Sequence, residues 1–382
     1  MYLVKSGISI CKMKKIKTFI YINYFVLLTV MPGFCINKTF GQEASEKTDF
    51  LKPFKICWEL KDTSIDTFAS DNNYVTLSKT DGSIFQFNSF DGKQIWETQI
   101  GKKLSSIPYL IDGTTIITSY LRNSDNREIY IRKINSQTGV TDWNESIRTM
   151  NETPIISIEV PGKLLTISED LSTLATSLSN GRVLWRSNIS GKLFKSTKLN
   201  NLVYLLTTDG NILTIDPTDG SNKSLGETGI QKLSSFTVKD ELIFLGDKNG
   251  QVYEIDTRSN RLKKSFRTGG EISSINVIED KILVASNDNF IYLYSFEKEK
   301  ILWKKRLPGR LIDAPLFRDE TIFAATTATN EIFAIEISEG RNINQITLDE
   351  GEVTKRVSLN QSGVLVLTNK RLLKFGSGEC KK

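Results

Sequence analysis

The sequence repeats itself with a period near 40 residues from about residue 54 to residue 376, and no other feature restricts the fold as strongly. Each unit holds short, alternating apolar runs separated by Asp-Gly or Thr-Gly turns, as between Tyr74 and Ile100. Alternation between such turns is typical of β-hairpins. About four short strands per period predict the blades of a β-propeller, since no helical periodicity of useful length follows the first 41 residues.

One marker position, the residue that ends the strand before the turn, gives the number of units. It is occupied by Asn88, Asn135, Ser177, Asp216, Asp256, Ser295, Glu336 and Gly376. Eight markers predict an all-β, eight-bladed propeller of four-stranded antiparallel blades. The last unit lacks its outer strand, whereas Phe54 to Leu60 is a strand with no partners of its own. We therefore predict that the N-terminal strand completes the last blade and closes the ring.

Tryptophan recurs at one position of the repeat, shortly after the turn. The tryptophans concerned are Trp58, Trp96, Trp143, Trp185 and Trp303. One large aromatic residue per blade at a fixed position indicates packing between neighbouring blades. The alternative is an aromatic platform for carbohydrate.

Four cysteines are present, and Cys57 and Cys380 are the two that follow the predicted targeting segment. In the repeat register Cys57 corresponds to Ile95 and Cys380 to Gly92, so both should lie near one tight turn. This predicts a possible disulfide that closes a loop of 323 residues, with an entropic effect on the order of 4–5 kcal/mol. The alternative is a buried thiol beside Trp58 and a free thiol in the C-terminal tail.

The formal charge of +6 comes entirely from the first 41 residues, which hold six lysines and no acidic residue. The remainder has 44 basic and 44 acidic residues. A neutral body provides no broad field for phosphates, so we predict no nucleic-acid partner.

The same N-terminal segment resembles a secretory signal, because lysines from Lys12 to Lys17 precede an apolar run from Phe19 to Phe34. We expect cleavage before Gln42. An uncleaved membrane anchor and lipidation at Cys35 are the alternatives, although Phe34 stands where lipoprotein signals have a small residue. The predicted organisation is a targeting segment (1–41), a short linker (42–53), the propeller (54–376) and a tail (377–382).

The amino-acid composition argues against a catalytic site. The chain contains no histidine, which removes the most common general base and many metal sites. Neither a CxxC pair nor a phosphate-binding loop is present. Asp-Gly dipeptides such as Asp81-Gly82 are typical of hairpin turns rather than calcium loops. We predict no catalytic residue, no cofactor and no metal ligand.

The repeat unit, a strand followed by Asn or Asp, two residues, Thr/Asp-Gly, three residues and Trp, resembles the PQQ-type (quinoprotein-like) propeller repeat over residues 54–376. The unit stands as Asn88-…-Asp91-Gly92-…-Trp96, Asn135-…-Thr138-Gly139-…-Trp143 and Ser177-…-Asn180-Gly181-…-Trp185.

The resemblance implies one of two branches of that family. Quinoprotein dehydrogenases are much longer and use an adjacent cysteine pair and acidic calcium ligands, whereas this chain is too short and has no adjacent cysteines. The other branch comprises non-catalytic exported propellers of the BamB type, which act as scaffolds in outer-membrane protein assembly. We therefore expect a monomeric, periplasmic or envelope scaffold that binds a protein partner. A ligand- or glycan-binding sensor and a degenerate quinoprotein that retains PQQ are the alternatives.

Overall fold

A computed structural model describes residues 50–101, 103–111, 115–121, 128–148, 155–259, 261–361, 363–378 and 380. They belong to a compact unit that extends from Lys47 to Lys382. The elements assigned in these ranges are all β-strands, which confirms the all-β prediction. The predicted targeting segment, with Cys35, lies outside the described residues.

The strands are grouped here into blades, each written from the innermost strand outwards. Blades 1 and 2 comprise β2 (Ile65–Ser70), β3 (Tyr74–Lys79), β4 (Ser83–Asn88) and β5 (Gln94–Gln99), then β6 (Tyr109–Ile111), β7 (Thr115–Leu121), β8 (Glu128–Asn135) and β9 (Thr141–Arg148). Blades 3 and 4 comprise β10 (Ile155–Val160), β11 (Lys163–Ser168), β12 (Ser172–Ser177) and β13 (Val183–Asn188), then β14 (Leu193–Leu199), β15 (Leu202–Thr207), β16 (Asn211–Ile215) and β17 (Asn222–Glu227).

The second half of the ring continues the pattern. Blades 5 and 6 comprise β18 (Leu233–Lys239), β19 (Leu242–Asp247), β20 (Gln251–Asp256) and β21 (Arg261–Arg267), then β22 (Ile272–Ile278), β23 (Lys281–Ser286), β24 (Phe290–Ser295) and β25 (Lys300–Arg306). Blade 7 comprises β26 (Leu316–Arg318), β27 (Thr321–Ala325), β28 (Glu331–Glu336) and β29 (Asn342–Thr347). Blade 8 comprises β30 (Thr354–Asn360), β31 (Gly363–Thr368), β32 (Arg371–Ser377) and, as its outer strand, β1 (Phe54–Lys61).

The strand order corrects the predicted count of eight blades. Within the described residues, seven sheets are self-contained, since each is formed by four consecutive strands. The remaining four-stranded sheet has the order β1-β32-β31-β30 and is a composite of both chain ends. The described chain therefore carries seven self-contained blades, and the last sheet obtains its fourth strand from β1. All pairings between the named strands are antiparallel, and β1 pairs with β32 from Phe54↔Ser377 to Lys61↔Arg371.

Burial follows the position of a strand within its blade. The second strands are almost wholly buried, as in β31, where each of the residues Gly363–Thr368 is buried. The outer strands alternate instead, as in β13 (Val183–Asn188), where every second residue is exposed. This difference arises because a middle strand has neighbouring blades against both faces, whereas an outer strand borders solvent.

The hydrophobic core is divided among the junctions between blades. Eight clusters of buried residues are found in the described part of the chain, and each combines side chains from two consecutive sheets. One of these clusters joins Leu365 and Leu372 of blade 8 to Phe68 and Leu77 of blade 1. The sheets therefore form a closed ring, and burying each large aliphatic side chain stabilises it by roughly 1.5–3 kcal/mol.

Candidate functional site

Each of the five repeat tryptophans reaches from its own outer strand to the turn of the following blade. The indole Nε1 of Trp96 donates a hydrogen bond to the carbonyl of Ser136 at 2.8 Å, and that of Trp303 donates to Ile337 at 2.8 Å. Trp58, Trp143 and Trp185 make the equivalent bonds to Ser89, Leu178 and Pro217. The indoles therefore link consecutive blades and do not form a common platform.

A glycine of the next blade receives each indole. These glycines are Gly92, Gly139, Gly181, Gly220 and Gly340, all with positive φ. A Cβ placed on Gly181 would lie 2.7 Å from the ring of Trp143, which is closer than packed atoms allow. The sequence contains this relation, since each tryptophan precedes a glycine of the next unit, but neither residue type alone shows it.

Replacing Gly181 by alanine is expected to lower the free energy of unfolding by about 3 kcal/mol. The new methyl group would displace the Trp143 indole and force a non-glycine residue to φ 73°. Gly162 is the matched control, because its φ is 72° and nothing lies within 4 Å of its Cβ position. Gly162→Ala should cost about 1 kcal/mol, from backbone strain alone. Equal shifts of the two urea midpoints would contradict the indole contact.

The two cysteines that follow the predicted targeting segment are joined beside the composite sheet. Cys57 of β1 and Cys380 form a disulfide, with their Cα atoms 5.4 Å apart. Cys57 lies at the irregularity in the β1–β32 pairing between Ile56 and Trp58. The bond therefore links the outer strand of the composite sheet to the segment that follows β32.

Ser89, on the turn of blade 1, collects three contacts from the closing sheet. Its carbonyl accepts hydrogen bonds from the Trp58 indole at 3.2 Å and from the Lys374 ammonium at 2.5 Å. The Asn360 amide donates to its hydroxyl at 2.6 Å. Lys374 lies directly opposite Trp58 on β32 and is only 2% exposed. Burial lowers the pKa of this lysine to about 8.

The buried ammonium makes stability depend on pH. Because the pKa of Lys374 is lower in the folded protein than in the unfolded chain, the unfolded chain binds more protons between these two values. Stability should therefore rise with pH, by about 2 kcal/mol between roughly pH 7 and pH 9.5. Lys374→Met should remove this rise, as measured by urea unfolding at each pH. Leu293 occupies the equivalent position opposite Trp303, so the ring accommodates an apolar side chain there. An unchanged pH profile would contradict a buried charged lysine.

Arg371, the first residue of β32, faces three carboxylates. Its guanidinium contacts Glu59 of β1 at 2.5 Å, Glu352 at 2.8 Å, and Asp349. The Glu352 side chain is 1% exposed and that of Arg371 is 12% exposed. These carboxylates raise the pKa of Arg371, with the hydrogen bonds to Glu352 as the largest cause. Arg371 thus connects its own strand, β32, to β1 and to the segment from Asp349 to Glu352.

Beside this cluster, an open cleft of about 570 Å³ lies between blades 7 and 8. It is formed by the loop from Thr327 to Glu331 and by the segment from Glu350 to Val353. Val353 is 56% exposed, so the cleft combines an apolar side chain with the carboxylates of Glu331 and Glu350. Such a surface can bind polypeptide through carboxylate–amide hydrogen bonds and one apolar contact.

The innermost strands carry contacts that cross from one blade to the next. The hydroxyls of Ser70 and Ser358 lie 2.7 Å apart between β2 and β30. The Arg356 guanidinium lies over the ring of Phe68, 5.9 Å from its centroid. Burial lowers the pKa of Arg356, and Asp313 opposes this effect.

No cluster of three or more histidine, cysteine or acidic residues that could hold a metal ion occurs within the described ranges. None of the described residues forms a helix long and apolar enough to cross a bilayer.

Comparison with known protein families identifies proteins that are similar to this chain. The family model described as outer membrane protein assembly factor BamB matches residues 55–266 and 259–380. Together these matches cover the whole ring. The chain belongs to the BamB family. The resemblance predicted from the Asp/Thr-Gly and tryptophan repeat is thereby confirmed at the level of the BamB-like branch.

Individual BamB sequences are distant. BamB from Moranella endobia (strain PCIT) is 20% identical over 283 residues, which cover 69% of this chain and 70% of that protein. BamB from Yersinia pestis is 19% identical over 243 residues, 58% of each chain.

Two solved structures have folds similar to that of this chain. BamB from Moraxella catarrhalis superposes with a TM-score of 0.65 at 12% identity, covering 85% of this chain and 99% of that one. The computationally designed protein Ika8 superposes with a TM-score of 0.68 at 12% identity, covering 84% and 99% of the two chains. At such identities the likeness concerns the fold alone.

Proposed function

We propose that this protein is a non-catalytic, exported scaffold that binds a protein partner during outer-membrane protein assembly. The observation that carries the proposal is the match of the BamB family model across the whole ring. The curated relatives in that family are named outer membrane protein assembly factors.

The geometry suits a rigid docking platform. The eight interblade clusters, the tryptophan–glycine contacts and the Cys57–Cys380 disulfide all oppose deformation of the ring. A rigid partner loses little conformational entropy when it binds, so its loops can present a fixed surface.

Export is a further part of the proposal. The lysine-rich start and the apolar run from Phe19 to Phe34 have the pattern of a secretory signal. The disulfide supports the same compartment, because such bonds persist in oxidising environments such as the periplasm. Mass spectrometry of the mature N-terminus should show cleavage before Gln42, and a retained leader or a lipid on Cys35 would contradict this expectation.

The cleft between blades 7 and 8 is the proposed docking surface for the partner. Glu331 and Glu350 provide carboxylates at its rim, and Val353 provides an exposed apolar contact. A partner segment with amide or basic groups around one apolar side chain would complement it.

Affinity purification of the tagged full chain from native envelopes tests the function. We expect proteins of the outer-membrane assembly machinery to co-purify. Glu350→Lys with Val353→Asp should reduce their recovery at least tenfold, whereas Glu297→Lys with Ile301→Asp, on exposed positions of blade 6, should not. A wild-type protein that elutes alone would contradict the scaffold, and equal recovery with both variants would exclude the cleft.

A further inference from the structure

The outer strands of blades 5 and 6 concentrate basic residues on one side of the ring. β21 (Arg261–Arg267) and β25 (Lys300–Arg306) each contain four lysines or arginines and no acidic residue. The outer strands of the other six blades contain at most two basic residues each. Because basic and acidic residues balance over the chain after residue 41, this positive charge is a local feature of two adjoining blades.

Four exposed cations of these strands recur at the same positions of their ladders. We define the basic flank as Lys264, Arg267, Lys304 and Arg306, all of them exposed. Each lysine lies opposite a tyrosine of the third strand, and each arginine follows two ladder positions later. The corresponding pairs on the other outer strands are Glu97 and Gln99, Asn144 and Ser146, Arg186 and Asn188, Ser224 and Glu227, Gln345 and Thr347, and Glu59 and Lys61. Two cations at these positions therefore distinguish blades 5 and 6.

These cations have no carboxylate partner. Within the described residues, none of the four forms an ion pair. The Nε of Arg267 donates a hydrogen bond to the carbonyl of Asn249 at 3.2 Å, and the ammonium of Lys304 lies 5.6 Å from the centroid of the Phe290 ring. Exposed positive charges without neighbours of opposite sign create a local field that favours an anionic ligand.

The two cations of blade 6 line the seam between blades 5 and 6. Trp303 points towards blade 7, where its indole donates to a backbone carbonyl. Because successive side chains of a strand alternate between its two faces, Lys304 and Arg306 lie on the face towards blade 5. From blade 5, the partly buried Phe266 stacks on Tyr294 across the same seam, with 4.9 Å between ring centroids. The seam therefore combines cations with an aromatic surface.

We propose that the basic flank binds an extended acidic segment of a polypeptide. Carboxylates at alternate positions of an extended chain lie about 7 Å apart on one side, which matches the alternate spacing of Lys304 and Arg306. β21 and β25 are the outermost strands of their sheets, so their free edges offer backbone hydrogen-bonding groups that a peptide can use. A seam between blades also suits an extended chain better than the flat surface of a bilayer.

Protection of a free edge does not explain this placement of charge. Lysines on edge strands do discourage pairing with other chains. However, the outer strands of the other blades also end their sheets and lack two cations at these positions. The basic flank is separate from the cleft between blades 7 and 8, so its ligand is distinct from the partner proposed for that cleft.

Fluorescence anisotropy with the full chain and a labelled peptide tests the proposal. The probe is a fluorescein-labelled Glu-Thr repeat of about 12 residues, about 40 Å long when extended. We expect saturable binding that weakens at high salt, and no binding of the matching Lys-Thr repeat. Lys304→Glu with Arg306→Glu should weaken binding roughly tenfold or more. Lys304→Gln with Arg306→Gln should weaken it less, and neither pair should shift the urea midpoint, since both side chains are exposed.

The matched control is Arg182→Glu with Lys223→Glu, which makes the same change of charge at exposed positions of blades 3 and 4. It should leave peptide binding unchanged, as should Glu350→Lys with Val353→Asp in the cleft. Failure of the wild-type protein to bind the Glu-Thr repeat, or equal losses in the control and flank variants, would overturn the proposal. Binding to phosphatidylglycerol vesicles without peptide binding would also overturn it and would assign the flank to a lipid surface.

Discussion

Replacing both Cys57 and Cys380 by serine is expected to lower the free energy of unfolding by about 4–5 kcal/mol. The disulfide spans 323 residues and therefore restricts nearly the whole unfolded chain. Its removal also leaves β1 held to blade 8 only by the β1–β32 ladder and side-chain contacts. The measurement is the urea midpoint of the oxidised protein against that of the double variant.

Reduction of the wild-type protein provides the control for this substitution. Wild-type protein in reducing buffer should unfold at the same urea concentration as the double variant. If oxidised and reduced wild-type protein unfolded together, the disulfide would not contribute to ring closure.

Arg371→Leu is expected to cost about 3–5 kcal/mol, because Glu352 would remain buried without its counter-charge. The side chain of Glu352 is 1% exposed, so solvent cannot replace the guanidinium. Glu59 and Asp349 would also lose their shared partner, which connects β1 to the segment before β30. Urea unfolding at neutral pH measures the loss, and Glu352→Leu added to Arg371→Leu should restore part of it.

Arg341 offers the matched control. It also pairs with two carboxylates, Glu336 and Glu339, but its side chain is 66% exposed. Exposed ion pairs contribute about 0–1 kcal/mol, so Arg341→Leu should change the midpoint little. Similar losses for the two arginine variants would show that burial of Glu352 is not what matters.

The closing strand could be predicted from sequence because the repeat register carries the information. Trp58 aligns with Trp96, and the last unit lacks an outer strand, so the two chain ends complement each other. The same register placed Cys57 and Cys380 near one turn. The predicted count of eight blades needed correction, because seven sheets consist of four consecutive strands and the last sheet combines β30, β31 and β32 with β1.

The Arg371 cluster could not be predicted, because its members have no common spacing. Glu59 lies 312 positions from Arg371, whereas Glu352 lies 19 positions from it. Charged residues are frequent in the turns of every unit, so composition does not single out these four. The buried Lys374 is similar, since only the fold shows that its ammonium lies against the Ser89 carbonyl.

The tryptophan–glycine contacts fall between these cases. Sequence showed both residue types at regular positions, and it indicated packing between blades. Only the fold shows that each tryptophan contacts the glycine one unit later. Trp303 of blade 6 and Gly340 of blade 7 form such a pair even though the outer strands of blades 5 and 7 lack a tryptophan.

Photo-cross-linking in native envelopes tests whether this BamB-family ring is an assembly scaffold. A photoreactive residue would replace Val353 in the cleft between blades 7 and 8, and another would replace Leu262 on the exposed outer strand β21. A discrete adduct with an outer-membrane assembly protein is expected from position 353 and none from position 262. Uncross-linked protein from both positions would contradict it.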